Sequence, residues 1–149
     1  MILAGDRSSS PASTAPMPTS TIPCGHILVV EDDPMIREAL ATALRRSAYQ
    51  VSCAEDGEEG WDAVRAEHFD ALITDHEMPR LTGLGLIRRV RALPLQIPVI
   101  LTSGRIPLHE PDLPRLLSPG AAFAKPYSFG ALLEKLGSII GRPDLTVSR

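Results

Sequence analysis

Four short apolar runs in this chain each end in polar residues suited to handling a phosphoryl group and a divalent cation. Ile27-Leu28-Val29-Val30 leads into Glu31, Asp32, Asp33 and Pro34, and Ala71-Leu72-Ile73-Thr74 leads into Asp75. Val99-Ile100-Leu101 leads into Thr102 and Ser103, and Ala121-Ala122-Phe123-Ala124 leads into Lys125 and Pro126. Three carboxylates brought together repel, and without compensation at least one pKa rises. A hard cation relieves the repulsion. Mg2+ prefers oxygen ligands and keeps several waters, so it suits an open acidic cluster that also receives a phosphate. In such a cluster Asp75 is a nucleophile that forms an aspartyl phosphate. Thr102 donates a hydrogen bond to a phosphoryl oxygen, and Lys125 supplies a compact positive charge that steadies the transferring group. Each residue alone has an ordinary reading as a helix cap or turn residue. Weight comes from finding all of them, in this order, after successive apolar runs.

Those residues converge only if the runs are neighbouring strands. Short apolar runs bounded by turn residues read as buried parallel strands, and open α/β sheets bind ligands at their carboxyl ends. Strands are expected at 26–31, 49–54, 70–75, 97–102 and 121–124. Between them, Asp33 offers an N-cap with Pro34 at the first helical position, followed by a stripe of Ile36, Leu40 and Leu44. Asp56-Gly57 opens a second helix with Trp61 and Val64 on its inner face. Thr82 caps a third carrying Leu84, Ile87 and Val90. Ser128 caps a last one with Phe129, Leu132, Leu133, Leu136, Ile139 and Ile140. Alternating strands and helices imply right-handed crossovers and a parallel sheet covered on both faces. The rhythm breaks between Gly104 and Gly120, where Pro107, Pro111, Pro114 and Pro119 forbid a helix of ordinary length. A helical remnant is expected at 112–117.

Composition narrows the function. The chain has 149 residues, 44% of them hydrophobic, enough for one domain with a normal core. A net charge of -3 gives no basic surface for nucleic acid. No run approaches the roughly 20 apolar residues that cross a bilayer, and no signal-peptide core follows Met1. Cys24 and Cys53 lack metal-ligand spacing, so a reducing cytoplasm fits, with Cys53 expected as a small core residue. No glycine-rich fingerprint follows the first strand, which argues against a dinucleotide. Residues 1–23, rich in Ser, Thr, Pro and Ala, are expected to form a disordered tail. The ordered domain is placed at 24–142, with a short C-terminal tail at 143–149.

Together these segments resemble the receiver domain of two-component response regulators. The matching stretches are Ile27 to Pro34, Asp75-His76-Glu77-Met78-Pro79 with Gly83-Leu84, Pro98 to Ser103, and Lys125-Pro126-Tyr127. The resemblance implies a flavodoxin-like, doubly wound five-stranded parallel sheet of order 2-1-3-4-5. By position, Asp75 is the phosphoacceptor, Asp32 the direct metal ligand and Glu31 a ligand through water. Glu77 gives its backbone carbonyl to Mg2+, Thr102 is the switch hydroxyl and Lys125 the phosphate-sensing lysine. The phosphoryl donor is a phosphohistidine on a histidine kinase or histidine phosphotransfer protein, and the chain catalyses only its own phosphorylation and dephosphorylation. A cis Lys125–Pro126 bond is implied as well.

Two departures stand out. The family usually carries Tyr or Phe three residues before the lysine, where this chain has Ala122, with Phe123 one place later and aimed at the other face. The proline-rich stretch replaces the usual fourth helix. Output is therefore expected through the loop carrying Arg105, directly after Thr102. No DNA-binding domain follows Gly141-Arg142-Pro143, so the expected output is contact with a downstream protein of unknown identity, or else the chain is a receiver fragment of a hybrid kinase. Two other classes remain open: a docking module of receiver fold that works without phosphorylation, and a Mg2+-dependent phosphatase for small molecules. The first would lack an acid, the threonine or the lysine. The second would need a further general acid, which Glu77 or His76 could supply, and a substrate lid, for which there is no insertion.

Overall fold

The computed structural model describes residues 24–140. Strands and helices alternate as β1 (His26–Val30), α1 (Pro34–Arg46), β2 (Gln50–Ala54), α2 (Gly57–Ala66), β3 (Ala71–Asp75), α3 (Gly83–Arg91), β4 (Val99–Ser103), α4 (Leu113–Leu116), β5 (Gly120–Ala124) and α5 (Phe129–Ile140). The strands form one parallel sheet in the order β2-β1-β3-β4-β5. This is the flavodoxin-like 2-1-3-4-5 arrangement. The tails expected at 1–23 and 143–149 lie outside the described residues.

Strand alternation divides the core in two. Leu28, Val30, Leu72, Val99 and Leu101 pack against Val64 of α2, Leu84, Ile87 and Val90 of α3, and Leu113 and Leu116 of α4. Ile27, Val29, Ile73 and Ile100 face Leu40 and Leu44 of α1 and Leu132 and Leu136 of α5. The central strands β3 and β4 are buried along their whole length, which is why they read as continuous apolar runs. β2 is an edge strand, and there one expectation is corrected: Cys53 is exposed, because an edge strand is covered less fully than the central ones. Trp61 lies on the inner face of α2, as expected. It is half-buried at the rim of the core, with the guanidinium groups of Arg65 and Arg89 over its ring at 5.2 and 5.8 Å.

The helix starts follow the sequence. Asp33 accepts from the backbone N–H groups of Met35 and Ile36, Asp56 from Glu59, Thr82 from Gly85 and Ser128 from Ala131. These side chains satisfy donors that a helix N-terminus leaves open. α1 ends with Ala48 at φ 73°, in the left-handed region, as the Tyr49 N–H returns to the Leu44 carbonyl.

The segment after β4 holds only the four-residue α4. Two arginines of α3 fasten it. Arg88 pairs with Glu110 at 2.8 Å and Asp112 at 2.7 Å. Arg91, half-buried, donates to the carbonyls of Ile97, Leu116 and Pro119. Gly120 follows at φ 153°, and a Cβ there would collide with the Val99 carbonyl. Lys125–Pro126 is cis, and Ser118–Pro119 is a second cis bond that the sequence did not signal.

Candidate functional site

Four strand ends bring the predicted chemistry together. β1 delivers Glu31 and Asp32, β3 delivers Asp75, and β4 sets Thr102 in register beside Asp75. Lys125 follows directly after β5. Glu31, Asp75 and Thr102 are 3, 3 and 2% exposed, whereas Asp32 is open to solvent. One carboxylate oxygen from each of Glu31, Asp32 and Asp75 lies within 4.8 Å of the others. The Lys125 ammonium is 2.9 Å from Asp75 Oδ1 and 3.8 Å from Glu31 Oε1.

The surrounding backbone fixes this geometry. The Glu31 carboxylate accepts from the Asp33 N–H at 3.1 Å, and Arg37 of α1 donates to the Glu31 carbonyl at 2.7 Å. The strand therefore ends in a held turn with Asp32 turned outward. The His76 N–H donates to the Thr102 carbonyl, and the Lys125 N–H to the Ser103 carbonyl, carrying the sheet pairing up to the site. Gly83, the first residue of α3, crosses so close to the Asp75 carbonyl that any Cβ would strike it. The loop after Asp75 can thus fold back onto the strand end only with glycine there.

The electrostatics are those of a cluster short of positive charge. Burial pushes the Glu31 carboxyl up to about 7, against the hydrogen bond from Asp33. Burial also raises Asp75, although Lys125 opposes it. Burial alone would lower the Lys125 ammonium, but Asp75, with Glu31 and Glu77, outweighs it and holds the group above its ordinary value. Asp75 Oδ1 is buried and accepts no aligned hydrogen bond, its contact with Lys125 being one of charge. A buried carboxylate oxygen in that condition, beside two more carboxylates, fits a hard cation. Glu31, Asp32 and Asp75 are the side chains that would hold it.

The sequence over residues 27–137 matches the family model described as the response regulator receiver domain. The chain belongs to that family. Among curated proteins this receiver is 32% identical over 120 residues to the response regulator MprA of Mycolicibacterium vanbaalenii, a match covering 79% of this chain and 52% of that protein. It spans about half the length of such relatives. Among solved structures it is similar to the response regulator TrrA of Thermotoga maritima in complex with Mg2+ and BeF. That match has 30% identity and a TM-score of 0.67, covering 76% of this chain and 97% of that one. It is similar also to the receiver domain of the sensor histidine kinase PA1611 of Pseudomonas aeruginosa PAO1, which has magnesium coordinated in its active-site cleft. There the identity is 27% and the TM-score 0.66, over 79% of this chain and 98% of that one.

This receiver brings Glu31, Asp32, Asp75, Thr102 and Lys125 to one edge of the sheet, as their spacing predicted. Glu77 stands apart from the acid cluster. Its side chain turns to Ser103 and Gly104, accepting from the Ser103 hydroxyl and, at 3.2 Å, from the Gly104 N–H. Burial would raise its carboxyl, but those two hydrogen bonds outweigh it and hold Glu77 below its ordinary value. Ala122 packs toward the face of α3 and α4. Phe123 packs toward α1 and α5, in a row with Tyr127 and Phe129 at ring separations of 6.0 and 5.9 Å. The sequence reading gave no role to Ser103 or Arg37. For Ser103 a signal was present: a hydroxyl ending a fully buried strand needs a partner. For Arg37 there was none, because an arginine in the first turn of a helix is ordinarily solvated.

Proposed function

We propose that this receiver takes a phosphoryl group onto Asp75 from a phosphohistidine of a histidine kinase or phosphotransfer protein, and then signals through contact with a downstream protein. The observation that carries this reading is the buried Asp75 Oδ1, without an aligned hydrogen bond, between the acid pair and Lys125. The Asp75 carboxylate attacks phosphorus. A P–O bond forms, the P–N bond breaks, and the electron pair leaves on the imidazole nitrogen. Glu31, Asp32, Asp75 and the Glu77 backbone carbonyl would hold Mg2+, which supplies charge neutralisation for the incoming phosphoryl oxygens. Lys125 neutralises a further oxygen, and the Thr102 hydroxyl donates to another. The chain turns over no separate substrate.

The donor protein has a natural resting place. An apolar groove of about 490 Å³, lined by Met35, Ile36, Ala39, Pro126, Tyr127 and Phe129, borders Lys125 at the rim of the site. A helix seated there would carry its histidine next to Asp75. We place the chain in the cytoplasm. Among the described residues no helix is long and apolar enough to cross a membrane. A receiver-fold module working without phosphorylation has no observation in its favour, since no expected reactive group is missing.

Intact-mass measurement after incubation with acetyl phosphate and Mg2+ tests the reading. The wild type should gain one phosphoryl mass. Asp75→Asn, or wild type in chelator, should gain none. Undiminished labelling of Asp75→Asn would overturn the assignment.

A further inference from the structure

We propose that the Glu77 carboxylate is a latch, closed on Ser103 and Gly104, whose release by phosphorylation of Asp75 passes the signal to the segment after β4. The inference rests on the phosphoacceptor reading of Asp75 and adds how the site's state leaves it. Ala122 provides no ring on the face toward α3 and α4, so a moving aromatic cannot do this work. Ser103 points to that same face, two residues along the neighbouring strand from Leu101, the register partner of Ala122. It is fully buried.

The Ser103 hydroxyl has one proton and two acceptors within reach: Glu77 Oε2 at 2.5 Å and the Arg105 carbonyl at 2.6 Å. The Arg105 N–H donates back to the same oxygen at 2.9 Å. A carboxylate is the stronger acceptor, so the proton goes to Glu77 while the latch is closed. If Glu77 withdraws, the proton turns to the Arg105 carbonyl. The buried hydroxyl is satisfied in both states, so neither carries the penalty of an orphaned polar group. The Gly104 N–H loses its acceptor on release but is at the surface, where water replaces it. Two satisfied arrangements of the same few atoms make a bistable element.

The trigger is charge. Glu77 lies two residues after Asp75, and the two carboxylates already oppose each other. An acyl phosphate extends further negative charge toward Glu77. Thr102, recruited to a phosphoryl oxygen, pulls on Ser103 through the chain. The far end of the segment is fastened to α3 by Arg88 and Arg91. Release is therefore confined to residues 104–109, which include Leu108, 80% exposed and apolar. That stretch is what a downstream protein would read.

The test uses the full chain, 15N-labelled, as wild type and Ser103→Ala, with acetyl phosphate and Mg2+ and with the phosphoryl mass verified on each sample. The readout is the solvent-exchange rate of the Gly104 amide by NMR. In the wild type, phosphorylation should raise it about tenfold or more, the scale of a lost charge-assisted hydrogen bond, while the Leu116 and Leu117 amides hold steady. In Ser103→Ala the rate should already be raised without phosphate, and phosphorylation should add little. A wild type that gains the phosphoryl mass with an unchanged Gly104 rate overturns the latch and leaves the phosphoacceptor reading intact. So does a Ser103→Ala protein whose rate responds as the wild type does. A wild type that gains no mass overturns both.

Discussion

Glu31 shows how a single residue carries the tension of the site. It is 3% exposed, faces Asp75, and keeps its proton up to about pH 7 because burial disfavours its charge. An unfolded glutamate releases that proton near pH 4.5. Between those values the folded form binds more protons than the unfolded form, so stability in chelator should fall as pH rises from about 4.5 to 7. The loss attributable to Glu31 is at most about 3 kcal/mol. Urea denaturation across that range should show the decline, and Glu31→Gln should flatten it. A decline equally steep in Glu31→Gln would place its source in Asp75 or elsewhere.

At the scale of elements, α3 holds down the segment that lacks a full helix. Two of its arginines do so with different energetics. Arg91 is half-buried and serves three backbone carbonyls. Arg91→Met would strand those carbonyls and should cost about 2–4 kcal/mol in denaturant unfolding. Arg88 makes its ion pairs at the surface, where solvent screens them, so Arg88→Met should cost far less. The end of α1 gives a prediction of opposite sign. Ala48 holds a left-handed conformation that glycine adopts without strain. Ala48→Gly should stabilise the protein by about 0.5–1 kcal/mol, raising the denaturation midpoint without changing the slope. An unchanged or lowered midpoint would mean that the turn relaxes around alanine.

At the scale of the whole molecule, metal binding and folding are linked. The acid cluster exists only when β1 and β3 lie side by side, so a cation that binds it stabilises the folded chain alone. Mg2+ at a hundred times its dissociation constant should add about 2.7 kcal/mol, seen as a rise in Tm. The rise should largely vanish in Asp32→Asn, whose exposed side chain can be changed without disturbing the core. A rise of equal size in that variant would place the metal elsewhere.

The sequence by itself determined the parallel sheet and its acidic edge, while the strand order came with the family resemblance and is set in the structure by tertiary pairing. β3 and β4 are buried from end to end, so their apolar runs stand out, and the polar residues ending each run must then meet at one rim. Caps at Asp33, Asp56, Thr82 and Ser128 were legible because capping is local and needs only the residue and its next turn. The four prolines after Gly104 likewise declared a shortened α4, since each removes a donor and fixes its own φ. Other features depend on what lies across the fold. Cys53 is exposed because β2 is the edge strand, which no property of its own segment reveals. Arg91 is half-buried because Ile97, Leu116 and Pro119 turn their carbonyls toward it from two other segments. Ser103 and Glu77 lie 26 positions apart, and only the pairing of β3 with β4 brings their side chains together. Local patterns record propensity and burial within a segment. The partner of a polar side chain from another segment is set by tertiary packing, and that is where the acidic edge acquires its link to the loop after β4.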